Sequence, residues 1–272
     1  MAQASKNKLL VEREGHVVTL TFNRPERRNA ITMSMFAALK SAVEDIARDP
    51  DARVVVLRGA DGSFSSGADL TPSEASETRG RPDVSPAATS TALIGVEVNT
   101  AILALHRLAK PTIACVEGIA AGAGANVAFG CDLVFAAEDA RFSQIFVKRG
   151  LSLDCGGTWL LPRLVGLQKA KELAFYGDWL SAPEALALGL VTRVWPAAEL
   201  ADRVGEWAAR LARQAPVAVS IIKQSLDRSM NLTMAEALDQ EAVAQGVCTS
   251  TLDFREAMRA FAEKREPEFT GG

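Results

Sequence analysis

Histidine is nearly missing from this chain: His16 and His106 are the only two in 272 residues. Neither lies near a second candidate ligand or nucleophile, which argues against a histidine-based catalytic triad. No Gly-x-Ser-x-Gly elbow and no His-Glu-x-x-His run occurs, so the hydrolase and zinc-protease mechanisms built on those motifs are set aside. The four cysteines, Cys115, Cys131, Cys155 and Cys248, show neither a paired metal spacing nor a small disulfide framework. No metal site is expected from them, and a reducing, cytoplasmic setting fits best. An excess of positive charge is lacking too, the formal net charge being −3, which argues against nucleic acid as a partner. Long apolar runs are also absent. The longest, residues 119–129, is broken by Gly122 and Gly124 and falls well short of the ~20 residues that span a bilayer. The first fifteen residues lack the apolar core of a signal peptide and are too acidic for a transit peptide. Neither a nucleic acid nor a membrane is expected as partner.

What is present suits an ordinary globular protein, with 48% apolar and 23% charged residues, enough to build a core without disulfides or metals. Residues 8–12 and 16–22 alternate like the two strands of a hairpin around Glu14 and Gly15. Residues 32–48 place Met35, Phe36, Leu39, Val43 and Ile46 at helical spacing. The Val-Val-Val-Leu run within 53–58 reads as a strand buried on both faces. Further strands are expected at 112–116 and 132–136, with a helix at 91–108. Strands alternating with helices predict an α/β core with crossover connections. Beyond Gly177 the pattern turns to helices almost alone, with capping boxes at Ser181/Glu184 and Thr233/Glu236. The chain is accordingly divided into a core over 1–200 and a helical region over 201–272. Residues 71–90, with Pro72, Pro82 and Pro86 among polar residues, read as a long loop, either a substrate-side lid or an insertion.

Two small-residue turns follow predicted strands. The first, Gly118 to Asn126, holds Gly118, Gly122 and Gly124 and opens a helix, but Val127 stands where a dinucleotide fingerprint needs its third glycine. By itself it reads equally as a tight turn with close helix packing. The second comprises Phe64, Ser65, Ser66, Gly67, Ala68, Asp69 and Leu70. Each lies at the carboxyl end of a buried strand, where α/β sheets place ligands. Two converging backbone N–H groups form an oxyanion hole, and one such donor is worth ~3–4 kcal/mol in a transition state.

The order and spacing of segments 23–30, 64–70, 117–128 and 261–269 resemble the crotonase superfamily, the enoyl-CoA hydratase/isomerase family. That resemblance covers nearly the whole chain and implies a spiral core of β-β-α turns, a C-terminal helical region used in trimerisation, and commonly a dimer of trimers. It implies an acyl-CoA thioester as substrate, with coenzyme A part of the substrate and no separate cofactor. It makes the backbone N–H groups of Ala68 and Ala123 the oxyanion donors; alanine can serve at the second position provided that its φ is negative. Arg27, Arg28, Ala30, Ser66, Gly67, Ala68, Asp69 and Leu70 match segments that hold the adenine and pantetheine of coenzyme A, while Phe261 and Lys264 match positions that reach it near a subunit boundary. Those two also read as a core aromatic and a solvated lysine.

The pattern of a plain hydratase fails at its two glutamates, whose positions are occupied by Asn126 and Phe146. Neither can transfer a proton. Asp154, within Gly150 to Thr158, matches the position of a base or nucleophile in the family's isomerases and in its 4-chlorobenzoyl-CoA dehalogenase; on its residue type it also reads as a helix N-cap. The expectation is therefore an acyl-CoA isomerase in which Asp154 moves the proton and Asn126 orients substrate or water. The alternatives are a hydratase that uses another carboxylate (Asp69, Glu74 or Glu77), a dehalogenase, and a CoA-ester-binding protein that has lost its chemistry.

Overall fold

The alternation of residues 9–22 folds as the expected hairpin. In the computed structural model, which describes residues 7–71 and 94–272, β1 (Leu9–Glu14) pairs antiparallel with β2 (Val17–Phe22) around Gly15. Val18, Leu20 and Phe22 point into the core. β3 (Val54–Gly59) pairs parallel with β2, and its Val54, Val55, Val56 and Leu57 are all buried, as a strand covered on both faces requires. β4 (Thr112–Val116) lies parallel to β3. After it come β5 (Ile119–Ala121), β6 (Leu133–Ala137), β7 (Arg141–Ser143), β8 (Trp179–Ser181) and β9 (Arg193–Trp195). The main sheet has six strands in the order β1-β2-β3-β4-β6-β9, and β5, β7 and β8 form a second, three-stranded sheet.

Helix α1 (Met33–Arg48) starts where Thr32 accepts a hydrogen bond from the Met35 N–H, and it buries the apolar face read from the sequence. Each of its large core side chains contributes about 1.5–3 kcal/mol on burial. α2 (Asn99–Arg107) follows a π-helical turn at Ile94–Val98. α3 (Ala123–Phe129) is buried along its whole length. α4 (Gly157–Tyr176) and α5 (Ala182–Ala187) follow, the latter with the expected capping box.

Helix α6 (Ala197–Ala212) places Leu200, Val204, Ala208 and Ala212 against the main sheet, so the expected boundary at 200/201 falls inside a helix that belongs to the core. α7 (Pro216–Ser229) is pinned by Lys223, whose Nζ donates to the Asp132 carboxylate at 2.8 Å and to the Lys110 carbonyl at 3.3 Å. α8 (Met234–Ser250), which begins at the second capping box, buries none of its residues. α9 (Leu252–Glu263) holds the C-terminal tail through Asp253, which accepts from the Thr270 and Gly271 N–H groups. Among the described residues no helix is long and apolar enough to cross a membrane.

One expectation needs correction. The region beyond Gly177 is not helices almost alone, because β8 joins the small sheet and β9 the main one. Each is three residues long, too short to show the alternation by which a strand is recognised. The expected loop at 71–90 lies outside the described residues except for Thr71, and the expected helix at 91–108 is described from Ile94 onward.

Candidate active site

Ser65 joins the two turns. Its N–H donates to the Ile119 carbonyl at 2.9 Å, and its carbonyl accepts from the Ala121 N–H at 3.0 Å, which ties the 64–70 segment to β5 as a one-residue strand pair. Such close backbone approach leaves no room for side chains at two glycines. A Cβ on Gly124 would stand 2.8 Å from the Ser65 carbonyl oxygen; one on Gly67, whose φ is +104°, would stand 2.9 Å from the Ala121 oxygen and 3.7 Å from the Ala123 nitrogen. Ala68 therefore follows directly on a residue packed against the start of α3. Among the described residues neither the Ala68 nor the Ala123 N–H meets a hydrogen-bond acceptor. Ala123 is the first residue of α3, and its φ is not positive, which meets the condition for alanine at that position. Gly122, at φ +52°, supplies the reversal that starts the helix there.

The loop before α1 holds the 64–70 turn from the other side. Ser66 donates from its N–H to the Arg28 carbonyl and from Oγ to the Arg27 carbonyl. The Ile31 N–H donates to the Gly67 carbonyl, and the Asp69 N–H donates to the Ile31 carbonyl, so these bonds flank Ala68. Two residues that sequence reasoning did not single out organise the loop. Asn29, fully buried, donates from Nδ2 to the carbonyls of Ala60 and Ser63. Arg24 donates to the Ala30 carbonyl and to the Asp69 carboxylate, each at 2.8 Å. Burial alone would raise the Asp69 carboxyl, but hydrogen bonds from Arg24 and Thr71 outweigh it and hold the group below its ordinary value. Asp69 is thus an ion-paired turn residue and no free base.

Asp154 has a different environment. Cys155 at φ +47° and Gly156 at φ +80° carry the chain away from it, and the N-cap of α4 is Gly156. The aspartate does not cap the helix, contrary to the structural reading of its residue type. One carboxylate oxygen, Oδ1, is buried with no hydrogen-bond partner in the protein. Burial raises the proton affinity of the group, opposed by a hydrogen bond from the Cys155 thiol. The backbone of Asp154 is fixed more firmly than its side chain. Its carbonyl accepts from Asn126 Nδ2 at 2.8 Å and from the Gly157 N–H at 2.9 Å.

Asn126 differs from expectation as well. Its Nδ2 is used on the Asp154 carbonyl, and its Oδ1 accepts from Gln144 Nε2 at 2.9 Å, all within the protein interior. The side chain therefore positions Asp154 instead of reaching out to substrate or water. The polarity of this amide chain is set at one end: the carbonyl of Asp154 accepts only, so Asn126 must present nitrogen to it and oxygen to Gln144. Gln144 is a further site residue that the sequence reading missed, and its Oε1 is buried without a partner. Phe146, 5% exposed, places its ring tip 3.6 Å from where a Cβ on Gly122 would stand, so an apolar ring packs against the turn that opens α3. Thiol chemistry has no support here, since burial pushes Cys115 and Cys131 up to about 12 and Cys155 higher still.

The remaining predicted positions are spread wider. Arg27, Arg28 and Leu70 are exposed, and Ala30 is buried. Phe261 is 82% exposed near the end of α9, and Lys264 caps that helix in a left-handed conformation. No hydrogen bond, ion pair or ring contact among the described residues joins either of them to the Ser66–Leu70 turn within one chain. Glu74 and Glu77 lie outside the described residues. A cavity of about 720 Å³ borders Asn126, which is hydrogen-bonded to the Asp154 carbonyl, and Gly156, two residues beyond Asp154. Another, of about 750 Å³, lies between the hairpin, α6 and Phe269, away from both turns.

Residues 12–272 match the family model described as enoyl-CoA hydratase/isomerase. The chain is 39% identical over 95% of its length to 1,2-epoxyphenylacetyl-CoA isomerase of Escherichia coli strain K12, covering 96% of that protein. It is 37% identical to the short-chain-enoyl-CoA hydratase of Clostridium acetobutylicum, with 96% and 97% of the two chains covered. Its fold superposes on the crystal structure of enoyl-CoA hydratase from Bacillus anthracis with a TM-score of 0.89 at 30% identity, covering 98% of this chain and 100% of that one. The enoyl-CoA hydratase of Mycobacterium smegmatis gives 0.87 at 33% identity over 97% and 99%. With a family model spanning almost all of its residues and relatives of the same fold along its full length, the chain belongs to the enoyl-CoA hydratase/isomerase family of the crotonase superfamily.

Proposed function

We propose that this acyl-CoA enzyme shifts a double bond within an unsaturated acyl thioester, with Asp154 as the group that moves the proton. The thioester oxygen sits between the Ala68 and Ala123 N–H groups. As Asp154 removes a proton from a carbon activated by the thioester, negative charge gathers on that oxygen, where two preorganised donors meet it. The same carboxylic acid then returns the proton to a different carbon, so the double bond migrates and no atom is gained or lost. A single carboxylate suffices for this. Addition of water asks for groups that activate the water and protonate carbon, and such acid–base help is worth about 10²–10⁴-fold.

The observation that carries this reading is the state of Asp154: an unpartnered, buried carboxylate oxygen on a backbone locked by Asn126; by the resemblance, Asn126 and Phe146 stand where hydratases carry their two glutamates. A raised proton affinity suits a group that must hold a proton between two transfers. Gln144 and Asn126 act as positioning residues. Arg27, Arg28, Ala30 and the segment from Ser66 to Leu70 hold the coenzyme A moiety, completed by Phe261 and Lys264 near a neighbouring subunit of a trimer or dimer of trimers. The apolar side chains left on the outside of the C-terminal helices, among them Met230, Met234, Val243 and Phe261, support such assembly.

The second reading, hydration of a 2-enoyl-CoA, is favoured by the relatives named as hydratases. The test is an assay of 2-enoyl, 3-enoyl and dienoyl thioesters, scored separately for double-bond migration and water addition. Migration without hydration is expected, and efficient hydration by the wild type would reject the isomerase reading.

A further inference from the structure

The cavity beside Asp154 is walled by α2, α3, the start of α4, and α7, and most of its lining is apolar, including Ile102 and Leu160. Of the polar side chains that border it, Asn126, Lys223 and Gln224 are hydrogen-bonded within the protein and Arg107 and Arg228 are solvent-exposed, which leaves His106 on α2 and Asp227 on α7. Both are half-buried, and neither side chain makes a hydrogen bond among the described residues. The imidazole makes an edge-on contact with Trp159 at 5.2 Å between ring centroids. Trp159 is in turn covered by the Arg163 guanidinium at 4.0 Å, which fixes the indole in place. Lys223, the buried cation of the lining, is already committed to Asp132 and the Lys110 carbonyl. Among the half-buried polar groups that border the cavity, His106 is thus a donor–acceptor and Asp227 an acceptor without a hydrogen-bond partner among the described residues.

We infer that this cavity receives the far end of the acyl group, and that His106 and Asp227 together recognise a hydroxyl on it. The inference rests on the thioester reading above and adds the substrate class: a medium-length acyl-CoA carrying a hydroxyl remote from the thioester. A hydroxyl both donates and accepts, so it pairs with the carboxylate of Asp227 and with a ring nitrogen of His106 at once. A plain hydrocarbon tail would fill the same space and leave both groups without partners, which is the arrangement by which a polar site rejects an apolar analogue. Asp227 is raised in proton affinity by burial and lowered by the nearby His106, as expected of two groups facing the same enclosure. The cavity borders Asn126, which donates to the Asp154 carbonyl, and Gly156, two residues beyond Asp154, so an acyl chain whose reacting carbons lie at Asp154 would have this space next to it.

The experiment is calorimetric titration of the full-length wild type with saturated, unreactive acyl-CoA thioesters of medium length. Each plain chain is paired with versions hydroxylated at successive carbons from the fourth to the last. One hydroxylated ligand is expected to bind about tenfold tighter than its plain counterpart, the effect of a hydrogen bond to a charged group. His106→Phe and Asp227→Leu should each reduce that preference to about twofold or less, with plain-chain affinity retained, and Asp227→Asn should restore part of it. Equal affinity for plain and hydroxylated chains at every position would overturn the inference and leave the thioester reading standing. A preference that survives in both variants would overturn it too. Failure of every thioester to bind would overturn the thioester reading and this inference with it.

Discussion

Gly67→Ala tests whether the meeting of the two turns is what builds the site. At φ +104° the backbone of residue 67 lies where side chains are rarely tolerated, a strain of about 1–3 kcal/mol. The new Cβ would stand 2.9 Å from the Ala121 oxygen, inside van der Waals contact. Ala121 cannot retreat freely, because its N–H is bonded to Ser65 and its strand is paired with β7. Overpacking of this kind adds about 1–3 kcal/mol, for a total of about 2–6 kcal/mol against the 5–15 kcal/mol typical of a domain. The variant should fold, at a lower urea midpoint. Relief of the clash must push the 67–68 peptide away from α3, and displacement by a fraction of an ångström should lower kcat/KM about tenfold or more, given about 10²-fold per ångström. Gly62→Ala is the control, since its φ is +69° but nothing stands within 4 Å of the added Cβ. It carries backbone strain without the clash and should keep its kcat/KM. If Gly67→Ala matches Gly62→Ala in both unfolding midpoint and turnover, close packing of the two turns is not what positions the donors.

Gln144→Leu should lower kcat about tenfold with little change in KM, because Asn126 loses the partner that fixes its amide; steady-state kinetics on the best thioester checks this, and an unchanged kcat would remove Gln144 from the site. Asp154→Asn should unfold at higher denaturant than the wild type near neutral pH. The folded-state proton affinity of Asp154 is raised above the ordinary 3.8, so the stability that its neutral form carries is present below 3.8 and is lost as pH rises through the folded value. The gain of the variant over wild type should therefore open above that pH and then level off, and a gain absent at neutral pH would contradict the burial argument. Light scattering at micromolar concentration should give a trimer or its dimer, since α8 buries no residue of its own and Phe261 stands exposed; a monomer would remove the shared coenzyme A site.

Where a short stretch of sequence decides its own structure, the reading and the fold agree. The valines of β3, the apolar face of α1, and the capping boxes before α5 and α8 each act within a single element or at its start. The two turns were also visible as glycine-rich segments after strands, but their contact was not. It depends on Ser65 bonding to β5 across more than fifty residues of chain. Separation in sequence, 18 and 28 residues, also hid Gln144, whose partner Asn126 lies on another element, and hid the use of the Asn126 amide on a backbone carbonyl. Asp154 shows how a local rule fails at such a site. Aspartate before a glycine pair and a helix reads as a cap, yet left-handed Cys155 and Gly156 displace the helix start and leave one carboxylate oxygen without a partner. No periodicity reports a left-handed cysteine.

The most direct test of the account is hydrogen exchange at the acyl carbons of a bound unsaturated acyl-CoA in deuterium oxide, followed by proton magnetic resonance in wild type and in Asp154→Asn. Wild type should incorporate deuterium at the carbons between which the double bond moves. The variant, which keeps side-chain size while losing the base, should exchange about 10²-fold more slowly or worse, with unchanged affinity for the coenzyme A ester. Exchange by Asp154→Asn at the wild-type rate would contradict the central claim that this carboxylate moves the proton.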